Sequence, residues 1–202
     1  MYDLLAERSE EPVRRAGLKM LHAEAGDRVL EIGFGTGFNF FLTADLALKY
    51  KTALTYYAVE KNLPDYKDYI KLNHTTHFSM NSAWLNFLSW RSHSSMLKNG
   101  VYKIVHRNIN LYLILSDAID MKLPENLFDA VYQDAFSPNV NPELWTISFF
   151  KKIILAMKPG AKLSTYSAKG DVKRALQEAG YFVNKLPGPI GKREMLVASR
   201  SL

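Results

Sequence analysis

Glu31-Ile32-Gly33-Phe34-Gly35-Thr36-Gly37-Phe38-Asn39-Phe40 follows the short run Arg28-Val29-Leu30 and leads into a stretch of helical character from Phe38 to Lys49. A strand that ends in Gly33-x-Gly35-x-Gly37 and opens a helix reads as a turn for a nucleotide-like cofactor. Glycine permits positive φ and lets a ligand approach the main chain. The helix start that follows presents N–H groups with no partner inside the helix. The spacing discriminates between cofactors. The dinucleotide fingerprint is G-x-G-x-x-G, but the residue three past Gly35 is Phe38, and the third glycine arrives one position early.

Working outward, 202 residues predict one domain, with 74–112 as the candidate insertion because it exceeds a minimal strand–helix–strand connection. Hydrophobic residues make up 48% of the chain, enough for a real core. The absence of cysteine excludes disulfides, cysteine-ligated metals and thiol nucleophiles. No apolar run approaches the roughly 18 residues a membrane span needs. The opening Met1 to Glu11 is acidic and polar, unlike a secretory signal. These features lead to the expectation of a cytoplasmic protein. The net charge is +6: residues 158–202 carry nine Lys and Arg against three Asp and Glu, and the remaining 17 basic and 17 acidic residues cancel. A basic excess suits a polyanionic partner, although charge of this size also describes an ordinary solvated face.

Apolar spacing predicts a helix over Arg14 to His22. Strands are expected at Asp27 to Gly33, Leu54 to Glu60, Phe128 to Asp134 and Ala161 to Ser167. Residues 81–98 read as a helix, and Val101 to His106 with Asn110 to Leu115 as a hairpin or two short strands. Asn141-Pro142-Glu143 reads as the cap of a helix running to Met157, stopped by Lys158-Pro159-Gly160. A helix from Gly170 to Ala179 precedes strands at Tyr181 to Leu186 and Arg193 to Ala198. Alternation of strands and helices implies a parallel α/β sheet. The last two strands are joined only by Pro187 to Lys192, which forces an antiparallel pair.

Ligands of open α/β sheets lie beyond the C-terminal strand ends, where this chain offers Gly33 to Gly37, Glu60, Asp117 and Asp134. Glu60 can cap a helix or lie as a surface acid, but after the glycine turn it suits the two hydroxyls of a ribose. Asp117 can accept from an exocyclic amine or cap the loop it begins. Asp134 can accept the hydrogen bond of an amine substrate, orienting its lone pair and helping a proton leave, or simply form the turn. Phe136 and Trp145 can stack on a base or pack in the core. His74 and His77 sit three apart with no third ligand near, so no metal is expected.

The acidic strand end followed by G-x-G-x-G resembles the S-adenosylmethionine motif of class I (Rossmann-like) methyltransferases. Asp129 to Thr146, which contains Asp134-x-Phe136-x-Pro138-x-x-Asn141-Pro142-x-x-Trp145, resembles the methyltransferase domain of the MnmC family of tRNA-modification proteins, as does Lys192-Arg193-Glu194-Met195-Leu196. Gly33 to Phe40 and Val59-Glu60-Lys61 also match that family, and the likeness covers roughly residues 29–199. The chain departs from it in Ser116 before Asp117, Ala135 after Asp134, the Gly188-Pro189-Ile190-Gly191 lead, and the segment before the first strand.

The resemblance implies an S-adenosyl-L-methionine-dependent methyltransferase with a mostly parallel sheet and a C-terminal antiparallel hairpin. It would methylate the aminomethyl group on the wobble uridine of tRNA. Glu31, Gly33, Gly35, Thr36, Gly37, Asn39, Glu60, Asp117 and Asp134 would hold the cofactor, with Asp134 also catalytic. Phe136, Pro138, Lys192 and Arg193 would meet the substrate. The proteins the family is named for also carry an FAD-dependent oxidase domain; here any deacylating step would fall to another protein, a separate oxidase or upstream modification enzymes. Two other readings stay open: a class I methyltransferase for a small-molecule amine or hydroxyl, and a non-catalytic RNA-binding module of the same fold.

Overall fold

The computed structural model describes residues 26–94, 96–187 and 194–202. The expected helix at Arg14 to His22 lies outside these, as do Lys192 and Arg193. Eight strands form one sheet: β1 (Arg28–Ile32), β2 (Leu54–Glu60), β3 (Gly100–His106), β4 (Ile109–Leu115), β5 (Phe128–Gln133), β6 (Met157–Thr165), β7 (Phe182–Pro187) and β8 (Glu194–Ser199). Their order is β3-β4-β2-β1-β5-β6-β8-β7. The five central strands run parallel. Both edges are antiparallel: β3 on β4, and β8 between β6 and β7. The short connection after β7 therefore does force an antiparallel return.

Helices cover the sheet on two sides. On one lie α1 (Phe38–Lys49), the single turn α2 (Tyr66–Tyr69), a 3-10 turn at His74–Thr76, and α3 (Ser82–Ser92). They bury Phe38, Phe41, Tyr69, Trp84 and Phe87 against Tyr56, Leu111 and Leu113. On the other, α4 (Ile147–Ala156) and α5 (Gly170–Glu178) pack Phe150, Ile153 and Leu176 on Leu30, Ile32, Val131 and Leu163. Each such aromatic or aliphatic side chain contributes about 1.5–3 kcal/mol on burial, so the sheet is clamped from both faces. Among the described residues, no helix is long and apolar enough to cross a membrane.

Several boundaries differ from the sequence expectation: the helix expected over 81–98 ends at Ser92, and the strand expected to reach Ser167 ends at Thr165. The helix expected from Asn141 to Met157 is interrupted. Pro142–Trp145 is a 3-10 turn, Thr146 is extended at φ −85 and ψ 158, and its side chain caps α4 by accepting from Phe149 N. Threonine competes for main-chain donors in this way. Lys158-Pro159-Gly160 does not separate helix from strand either. β6 starts at Met157, so the three residues lie within it. There β5 pairs with β6 only irregularly between Phe128 and Ala130, which accommodates the missing proline donor.

Candidate functional site

Register decides what meets at the sheet's tip. Ile32 is level with Val59 on one side and Gln133 on the other, and Glu60 is level with Leu115. The residues just past these ends, Gly33, Glu60, Ser116 and Asp134, therefore converge. They line a cavity of about 360 Å³ together with Phe34, Gly35, Thr36, Lys61, Asn62, Asp117, Phe136, Asn141, Glu143 and Tyr166. That volume suits a nucleoside-sized ligand.

The turn uses positive-φ conformations in crowded surroundings, which suit glycine and would strain a residue with a side chain. Gly33 has φ 89 and Gly37 has φ 77. A Cβ on Gly33 would stand 2.9 Å from Asp134 O, and one on Gly37 2.6 Å from the Phe34 ring. Gly33 thus lets the exit of β5 press against the turn. Gly33 N and Phe34 N donate to Val59 O at 3.0 and 3.1 Å, and Gly37 N returns to Phe34 O at 2.7 Å. Phe34, 3% exposed, anchors the turn among Phe40, Phe41 and Phe87.

Glu60 accepts Gly35 N on one oxygen and Asn62 N on the other, both at 2.8 Å. Its carboxylate is oriented by main chain. Asp117 accepts Ile119 N at 3.0 Å and pairs with Lys61 Nζ at 2.8 Å. The Lys61 hydrogen bond, with Ile119 N second, holds the Asp117 carboxyl below the usual carboxylate range.

Asp134 is held from behind. Asn39 Nδ2 donates to Asp134 Oδ2 at 2.8 Å and to Glu31 Oε1 at 2.6 Å, using both amide hydrogens. Tyr56 donates its hydroxyl to Glu31 Oε2 at 3.1 Å. Burial, and next the Glu31 charge, push the Tyr56 hydroxyl well above its ordinary range, so Tyr56 stays a donor. Glu31 and Asn39 are 1% and 4% exposed and stand behind the cavity wall. Gly37 and Pro138 are likewise not among the cavity's lining residues, whereas Gly33, Gly35, Thr36, Glu60, Asp117, Asp134 and Phe136 are.

The loop after β5 is pinned at successive carbonyls. Tyr166 donates its hydroxyl to Ala135 O and Trp145 donates Nε1 to Phe136 O, both at 2.9 Å. Gln133 Nε2 reaches Leu144 O at 2.9 Å. The Trp145 ring is buried while Phe136 is 56% exposed, so only Phe136 offers a face to a substrate. Tyr166, Lys61, Asn62 and Glu143 escaped the sequence reading as site residues. Tyr166 is the first residue beyond β6, a place the expected strand, running to Ser167, concealed. His74 is fully buried, with Nε2 3.1 Å from Thr36 O.

The donor set fits a methyl-sulfonium nucleoside. Glu60 and Asp117 offer acceptors for ribose hydroxyls and an adenine amine, and the cavity's carboxylates suit a cation. A family described as S-adenosyl-L-methionine-dependent methyltransferase matches residues 82–201. The tRNA 5-methylaminomethyl-2-thiouridine biosynthesis bifunctional protein MnmC of Paracidovorax citrulli is 33% identical over 205 residues, covering 96% of this chain and 31% of the relative. Its Burkholderia thailandensis counterpart is 34% identical, over 84% of this chain and 27% of the relative. The chain thus spans less than a third of either relative. The crystal structure of MNMC2 from Aquifex aeolicus superposes with a TM-score of 0.62 at 24% identity, covering 96% of this chain and 60% of that one, a likeness of fold.

Proposed function

From its place in the S-adenosyl-L-methionine-dependent methyltransferase family, to which this chain belongs, we propose that it methylates the aminomethyl group on the wobble uridine of tRNA. The observation that carries this reading is the Asp134 carboxylate, held by Asn39 at the rim of the cavity that Glu60 and Asp117 also line. The cofactor supplies an electrophilic methyl group when bound. Glu60 would take the ribose hydroxyls and Asp117 the adenine amine, with the glycine turn along the remaining edge.

An alkylammonium has no lone pair, so the substrate must lose a proton before it attacks. Asp134 accepts the N–H hydrogen bond, aims the lone pair and eases that loss. Much of the acceleration comes from holding the two reactants in line, which a carboxylate fixed by a buried amide supports. The exposed Phe136 beside Asp134 gives the flipped base an aromatic face. The names of the relatives support the tRNA substrate.

The test incubates the protein with methyl-labelled cofactor and tRNA from cells lacking the final methylation, followed by nucleoside analysis. Label in the methylaminomethyl nucleoside is expected. Label only in small molecules overturns the tRNA assignment. Asp134→Ala should lose turnover while still binding S-adenosylhomocysteine. Equal turnover in that variant removes Asp134 from the reaction.

A further inference from the structure

We propose that Tyr69 and His74 are positioning residues for the cofactor turn, acting on its carbonyls from the side away from the cavity. This rests on the reading of the cavity as the cofactor site. The two side chains belong to the connection between β2 and β3, 34 and 38 residues past the carbonyls they meet, and both are fully buried. Tyr69 donates its hydroxyl to Gly35 O at 3.0 Å. His74 Nε2 lies 3.1 Å from Thr36 O. A carbonyl only accepts, so Nε2 carries the proton.

Each of these two peptide planes flanks a glycine of the turn, Gly35 or Gly37. Glycine leaves its neighbouring planes free to rotate, and Gly35 has φ 52. A trans peptide sends its N–H opposite to its C=O. Fixing Gly35 O inward on Tyr69 therefore turns Thr36 N–H away from that buried ring, and Thr36 lines the cavity. The next plane is held at both ends, by His74 on Thr36 O and by Phe34 O on Gly37 N at 2.7 Å.

The holders are themselves immobile. The Tyr69 ring meets Phe87 at 5.1 Å, and the His74 ring meets Trp84 at 4.7 Å and Phe38 at 5.2 Å. Downstream, Asp45 of α1 accepts Ser79 N at 3.1 Å, Ser79 Oγ at 2.9 Å and Met80 N at 2.5 Å. Upstream, buried Arg91 donates to Pro64 O at 3.1 Å and Asp65 at 3.0 Å. The segment is thus closed onto the fold on both sides of the two residues. It works as a back-plate that sets where the turn's amides point.

Tyr69→Phe keeps the ring and removes one donor, and His74→Gln keeps an amide donor that His74→Leu lacks. S-adenosylhomocysteine affinity is read by calorimetry, with KM, kcat and melting temperature alongside. Tyr69→Phe and His74→Leu should each weaken binding about five- to tenfold, the loss of one hydrogen bond. The loss should fall on cofactor KM more than on kcat, and His74→Gln should recover most of it. Lowered melting with wild-type affinity in Tyr69→Phe would make the contacts merely structural and overturn the proposal. A wild-type chain that fails to bind the ligand would overturn the cavity reading and this proposal together.

Discussion

Asn39 and Asp134, 95 positions apart, share a hydrogen bond of 2.8 Å, and the second hydrogen of the same amide reaches Glu31 at 2.6 Å. One neutral side chain thus stands between two carboxylates and satisfies both.

Asn39→Leu keeps the volume and removes that bridge. The buried Glu31 loses a donor, which costs about 1–3 kcal/mol and should show in urea unfolding. Methyl transfer should fall at least about tenfold, as one misdirected proton acceptor implies. A variant that unfolds earlier yet turns over normally would separate Asn39 from the chemistry.

Gly33→Ala tests the close approach of the turn to β5. The position combines φ 89 with a Cβ 2.9 Å from Asp134 O. Backbone strain alone costs about 1–3 kcal/mol, and the clash displaces the Asp134 main chain. Lower stability and lost turnover are expected together. Wild-type unfolding in this variant would contradict the tight packing.

Lys61→Met addresses pH. Lys61 and Asp117 are 67% and 34% exposed, so solvent screens the pair and it contributes little to stability. Its electrostatic effect is nevertheless directional. The folded Asp117 carboxyl titrates below its unfolded value, so its contribution is present above about pH 4 and is lost as pH falls through the depressed folded value. Cofactor affinity that depends on ionised Asp117 should therefore persist into acid. In Lys61→Met the acid fall-off should move to higher pH. Calorimetric titrations with S-adenosylhomocysteine across the acid range check this; an unmoved fall-off would show that Lys61 does not govern Asp117.

Tyr166→Phe removes one hydroxyl from the Ala135 carbonyl. The loop bearing Phe136 should then sample more positions. The expected result is a several-fold rise in KM for the tRNA, a net hydrogen bond's worth, with nearly unchanged cofactor affinity. Equal losses for both ligands would place the effect in the cavity as a whole.

Much of this was legible because it is local. The glycine turn, the strand ending on Glu60 and the β5 tip at Asp134 each show in a window of about ten residues. The hairpin at the C-terminus followed from loop length alone. What stayed hidden is what depends on distant partners. Asn39 and Glu31 belong to the glycine motif, yet they are buried behind the wall because Tyr56 and Asp134 capture them. The break at Thr146 came from a threonine serving as cap where Asn141 looked equally able. Nothing near Tyr69 or His74 in sequence announces a bond to a turn more than thirty residues earlier.

Among the described residues, four carboxylates border the cavity, at Glu60, Asp117, Asp134 and Glu143, against one ammonium, that of Lys61. Most abundant adenine compounds in a cell are polyanions, and their phosphates would meet repulsion from these carboxylates. A molecule that presents the same adenine and ribose on a positively charged sulfur meets attraction instead. Discrimination against ATP and the dinucleotides can therefore rest on sign of charge, exercised by exclusion, without any contact devoted to reading what those rivals carry.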